Sequence, residues 1–226
     1  MKKIIAIVAA VLLTTLAAEA QTECPASWRV GVTAGATYNV HSMDLQYLND
    51  FKLEGRWGAT IGVTGQYNFN DWLGVRADLN WTQKNYRKHR IMLDEVDQKY
   101  RNDYLQLPVM ASFSFGSEKW RGFCNLGAYA GYWLSRHYWG SDYHSFVYKE
   151  YQFDEKIEMN SERDQRWDCG LVGGIGLEYL VCKHWAVQGE VRYYYSTTST
   201  QKQYMRIKDY RYNNTTAVQI GVNYLF

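Results

Sequence analysis

Three arginines, Arg29, Arg76 and Arg192, and four carboxylates, Asp78, Asp168, Glu178 and Glu190, sit in segments whose neighbours alternate between apolar and small residues. Carboxylates set among apolar neighbours are the raw material of acid–base catalysis or of a proton path. With cations at matching positions, they are equally the material of an ion-pair network, since buried charge persists only when paired and hydrogen-bonded. Other groups offer less. The five histidines (41, 89, 137, 144, 184) are scattered, and Asp142-x-His144 alone does not make a metal site. GGIGLE (173–178) lies in a strand pattern that leaves no room for the helix a dinucleotide loop needs. Ser135 and His137 are inward by parity and lack an evident acid partner for nucleophilic chemistry. No cofactor is implied.

The elements that must position these charges are strands. WRVGVTAGATYNV (28–40), WGATIGVTGQYNF (57–69), LGVRADLNW (73–81), YLQLPVMASFSF (104–115) and residues 122–135, 167–179, 185–196 and 217–226 all alternate with period two. Short connections near 70–72, 116–119 and 181–184 take turns with long ones near 41–56, 85–102, 136–166 and 197–214. Within the third of these, SFVYKEYQF alternates as a projecting hairpin would. The expected fold class is all-β: an eight-stranded antiparallel up-and-down transmembrane β-barrel with short periplasmic turns and long extracellular loops.

Alternation does not say which face points out, and a soluble lipocalin-like carrier has the same pattern inverted. Volume and height decide it. An eight-stranded bore just holds its side chains. The polar face carries glycines such as Gly31, Gly62, Gly127 and Gly174, leaving room for Arg29, Arg76, Asp78, Glu178, Glu190 and Arg192 as an interior ion-pair network that plugs the lumen. The apolar face carries Trp28, Trp120 and Trp185 at the short-turn ends and Trp57, Trp81 and Trp167 at the long-loop ends, with Val63, Leu126, Leu171 and Ile220 between. Two aromatic rings around an aliphatic band describe a surface that meets lipid.

The first twenty residues, MKKIIAIVAAVLLTTLAAEA, have a basic start, an apolar run and an A-x-A site, and are expected to be a cleaved signal peptide ahead of a single domain at 21–226. The run is too short to span a bilayer as a helix. With 25 basic and 23 acidic residues, and Lys2, Lys3 and Glu19 in the leader, the charge balance implies no nucleic-acid partner. An oxidising compartment permits a Cys24–Cys182 disulfide, although spacing leaves the connectivity of the four cysteines open. In the basic, aromatic stretch KNYRKHR, Lys84, Arg87, Lys88 and Arg90 are expected to contact lipopolysaccharide phosphates.

RVGVTAGATYNV, GVRADLNWTQKNY, DYLQLPVMASFSFG, NLGAYAGYWL, CGLVGGIGLEY and VQGEVRYYYS, in that order, resemble the PorT-like outer-membrane β-barrel family of Gram-negative bacteria over about residues 28–226. The most specific pieces are Tyr104-Leu105-Gln106-Leu107-Pro108 and Gly174-Ile175-Gly176-Leu177-Glu178-Tyr179. Gln106 departs from the acidic residue often found there. The resemblance implies an integral outer-membrane protein, but not one activity, since some members serve protein secretion. Such barrels commonly end on an aromatic that the barrel-assembly machinery reads, which implies that role for Phe226. The functional expectation is therefore a non-enzymatic barrel whose loops bind a cell-envelope or secretion partner. The alternatives are a lipid A-modifying enzyme, which would need a Ser/His/acid cluster on the outer face near the upper aromatic ring, and a soluble carrier.

Overall fold

The computed structural model describes residues 27–43, 51–90, 96–117, 119–144, 149–160, 162–202 and 210–226. The proposed leader and Cys24 lie outside these residues, and so does the Cys24–Cys182 pairing; Cys124, Cys169 and Cys182 carry free thiols.

Among the described residues ten strands are formed: β1 (Ser27–Met43), β2 (Phe51–Asn68), β3 (Leu73–Gln83), β4 (Tyr86–Arg90), β5 (Asp97–Gly116), β6 (Trp120–His144), β7 (Lys149–Ile157), β8 (Trp167–Cys182), β9 (Trp185–Ser196) and β10 (Arg211–Leu225). Eight of them close a ring in the order β1-β2-β3-β5-β6-β8-β9-β10, and every pairing is antiparallel. The seam is made by β1 and β10, paired from Arg29↔Leu225 to Met43↔Arg211. A closed ring leaves no unsatisfied sheet edge at membrane depth.

The ring has the eight strands expected, and the described residues form ten strands in all. The two additional strands extend the wall above the ring. β7 folds back on the outer half of β6, and β4 is wedged between the start of β2 and the start of β5. Residues 85–102, read as a long loop, are largely strand. β6 has 25 residues, whereas a tilted strand crosses a bilayer in about 9–11, so its outer end stands clear of the membrane.

Alternation sorts the two faces cleanly. Thr37, Arg76, Asp78, Asn80 and Arg192 are buried inside the ring, while Trp28, Val32, Trp57, Val63, Leu126, Trp167 and Ile220 are exposed outside it. The aromatic rings at each end are built from cross-strand partners. Trp28–Tyr67, Trp120–Tyr179 and Trp185–Tyr224 lie at the short-turn end, with centroids 4.8, 4.7 and 5.2 Å apart. Tyr38–Trp57 and Tyr132–Trp167 lie at the other, each at 5.3 Å. Each is a registered pair, so the girdles follow from strand register. Phe226 is exposed and its backbone N–H donates to Trp28 O at 3.0 Å, extending the seam.

Two local irregularities re-aim side chains. Between β5 and β6 the register shifts, so that Tyr104 pairs with Trp133 but Asp103 with Ser135, leaving Leu134 as the extra residue of a bulge. Beyond it the parity of β6 is reversed. Between β3 and β4, Lys84 and Asn85 interrupt the ladder, although the Lys84 N–H still donates to Asn102 O at 2.8 Å. Against β5, therefore, β3 and β4 are one strand in one register.

Candidate functional site: the charged interior and its outer mouth

The inward charges meet in three levels. At the short-turn end Arg29 on β1 reaches Glu178 on β8 at 2.6 Å. At mid-height Arg192 on β9 holds two carboxylates at 2.7 Å, Asp78 on β3 and Glu190 on its own strand. Arg76 closes this group from β3, 2.9 Å from Asp78 and 3.5 Å from Glu190. Asn125 and Gln219 donate to the remaining positions of Glu190 at 2.9 and 3.0 Å. At the outer level Lys84 meets Asp168 at 2.5 Å, and Asp168 also accepts from Ser196 Oγ at 2.6 Å and Tyr129 Oη at 3.2 Å. Gln106 is buried opposite Asn80 in the register, and neither carboxamide has a protein hydrogen-bond partner.

These pairs cross the bore. In the ring order β3 and β9 are four strands apart, on opposite walls, so the Arg192–Asp78 bridge spans the interior. Every interior carboxylate on these levels is bonded to a cation, the arrangement of an ion-pair network.

Lys84 is a correction. The basic stretch predicts a lipopolysaccharide contact for it, but it is fully buried inside the ring, with its ammonium over the rings of Tyr104 and Tyr129 at 5.1 and 5.2 Å. The inward parity of Arg76, Asp78, Asn80 and Thr82 simply runs on to it. Lys88 continues that parity and lies 3.9 Å over the ring of Phe51, with Arg90 4.9 Å over the same ring. Arg87 is half-exposed, 2.6 Å from Asp97 and 3.5 Å from Glu54. Burial raises the Asp97 carboxyl, but the Arg87 hydrogen bond and charge outweigh it and hold the group below the ordinary carboxylate range. At Glu54 the hydrogen bond from Lys52 leads the same downward shift.

The family model for the outer membrane protein beta-barrel domain matches residues 19–202. The chain belongs to that family. It is an integral protein of the outer membrane. Among solved structures, the outer membrane protein OprG from Pseudomonas aeruginosa is 16% identical, with 88% of this chain and 95% of that chain covered and a TM-score of 0.54. The outer membrane protease OmpT from Escherichia coli is 10% identical, with 92% and 100% covered and a TM-score of 0.52. At these identities the likeness is one of fold. A search of curated proteins gave no match.

On this outer-membrane barrel the Leu134 bulge corrects a second expectation. Ser135 and His137 are on the outside of the wall, and each has an acid partner. Ser135 Oγ donates to Asp103 at 2.8 Å, and His137 Nε2 lies 2.6 Å from Asp154. The two form separate pairs, whereas an activated serine needs its hydrogen bond to run to the histidine. No helix among the described residues is long and apolar enough to cross a membrane; this barrel crosses with strands.

Proposed function

We propose that this protein is a non-conducting, non-enzymatic barrel of eight transmembrane strands, whose extended outer wall presents a binding surface to a cell-envelope or secretion partner. The observation that carries the reading is the Arg192 guanidinium bonded at once to Asp78 on the opposite wall and to Glu190. Such a bridge, backed by Lys84–Asp168 above and Arg29–Glu178 below, leaves little of a narrow bore for water. The stretches quoted above support a PorT-like relationship. The strand-borne Arg87, set among Glu54, Asp97 and Lys99, suits contact with lipopolysaccharide headgroups better than Lys84 does, and Phe226 beside Trp28 suits recognition by the barrel-assembly machinery.

The test is conductance in planar bilayers. The wild-type protein should give no discrete openings, and replacing Arg192, Asp78 and Glu190 together by glycine should produce them; wild-type openings of steady amplitude would refute the plug. Cross-linking in intact cells followed by detergent solubilisation should recover an envelope protein bound to the outer wall. Lipid analysis of cells with and without the gene tests the enzymatic alternative, since an altered acyl pattern would favour it. The cleaved leader is tested by N-terminal sequencing of the mature protein, expected to begin at Gln21.

A further inference from the structure

Directly above the Lys84–Asp168 level, the outer mouth of the barrel holds a cavity of about 170 Å³. Among the described residues, three guanidinium groups line it, those of Arg136, Arg163 and Arg211, together with the carboxylate of Asp164. Asp164 is itself engaged by Arg163, whose Nε lies at 3.1 Å. The Leu134 bulge is what turns Arg136 inward. Its Nη2 donates to the Tyr86 hydroxyl at 3.3 Å, its guanidinium lies 4.9 Å over the ring of Tyr100, and its Nε is buried with no hydrogen-bond partner. A buried charged donor left unmatched is costly, and this one borders a cavity.

A second observation points the same way. Lys88, nearby on the inward face of β4, has its ammonium pKa lowered first by burial and then by the charges of Arg211, Arg90 and Arg136, against the pull of Asp142. Among the described residues, cations are thus gathered at the mouth. The rest of the lining combines rings, Tyr86 stacked on His41 at 4.3 Å and Trp133 on Tyr104 at 5.6 Å, with the polar side chains of Asn102, Thr200, Gln201 and Asn213.

We propose that this cavity binds a small oxyanion from outside the cell, a carboxylate or phosphate group on a body no larger than one sugar ring, with Arg136 as its principal ligand. Guanidinium forks match both groups bidentately. The size follows from the volume, since a cavity of about 150 Å³ holds a benzene-sized molecule and larger ligands need about 300 Å³ or more.

The test is calorimetric titration of the full-length protein in detergent micelles with inorganic phosphate, galacturonate and neutral galactose. At least one of the two anions should bind saturably at one site, galactose should bind about tenfold more weakly or not at all, and the preferred anion tells a phosphate source from a carboxylate one. Arg136→Gln should weaken binding by about tenfold or more, the usual weight of a charged hydrogen bond. Arg101→Gln, half-exposed on the outside of the wall, should leave it unchanged. Should Arg136→Gln fail to fold, Arg163→Gln, at the rim of the cavity, decides by weakening binding severalfold. Absence of saturation by either anion in the millimolar range, equal affinity for galactose and galacturonate, or undiminished binding by a folded Arg136→Gln or Arg163→Gln protein would each overturn the proposal.

Discussion

The interior within the membrane and the mouth above it are made from the same residue types and treat charge oppositely. Inside, Arg29, Arg76, Arg192 and Lys84 answer Glu178, Asp78, Glu190 and Asp168, each acid bonded to at least one cation. At the mouth, Arg136, Arg163 and Arg211 line one cavity, where Asp164 is engaged by Arg163. The difference is one of solvent. Where lipid surrounds the wall, an unpaired ion has no water to turn to, and its cost in a low dielectric would exceed the stability of the protein. Above the headgroups water and solutes reach the cavity, so charges of one sign can be gathered and used.

The sharpest way to break this comparison is Arg192→Met, which leaves two buried carboxylates, Asp78 and Glu190, to the single cation Arg76. It should cost about 3–5 kcal/mol, read as a lower urea midpoint for the detergent-solubilised protein. If Arg192→Met were harmless, the mid-height group would not be holding the barrel. Next in size is Gly127→Ala on the inward face of β6. A Cβ there would meet the Val109 carbonyl oxygen and the Met110 Cα, the latter at 2.7 Å. Both are backbone atoms with no rotamer to yield, so a loss of about 1–3 kcal/mol is expected, while the lipid-facing neighbour Ala128→Val should be tolerated in the same assay.

Arg136→Met should behave unlike Arg192→Met. Removing a cation from the mouth should shift the urea midpoint by less than about 1 kcal/mol in either direction, because no carboxylate is left stranded. A cost equal to that of Arg192→Met would erase the distinction between the two regions. The smallest effect concerns the wall above the membrane. Arg87→Gln should cost less than about 1 kcal/mol, as exposed pairs do. Because Asp97 has a lowered pKa in the folded state, its contribution is present above the unfolded carboxylate value of about 3.9 and disappears as pH falls through the folded value beneath it. Hydrogen exchange along β4 should therefore speed up on acidification below about pH 4 in the wild type and respond less in Arg87→Gln.

Much of the ring is legible from residue order. Period-two alternation located its strands, and the sorting of tryptophans by height oriented them, because lipid imposes a simple rule on the outer face. The upper wall is less legible. KNYRKHR reads as a basic loop because it lacks apolar residues at alternate positions; above the membrane a strand needs none, so Tyr86–Arg90 can pair on both sides without that signature. Lys84 could have been placed by extending the parity of β3 through Thr82. The reversal at Leu134 could not: a bulge is one residue of slack taken up between partners, and nothing in NLGAYAGYWLSRHY marks where it falls.

By itself, then, the order of residues determined that this chain builds a barrel with an apolar outside and a charged inside, since each strand carries its own two-faced pattern and lipid tolerates only one assignment of those faces. Which cation meets which carboxylate, and that Arg136 turns into the mouth while Ser135 and His137 turn out, was decided only in three dimensions. Those pairings join opposite walls of a closed ring, and they depend on strand stagger and on single-residue bulges that are set by the fit between neighbouring strands.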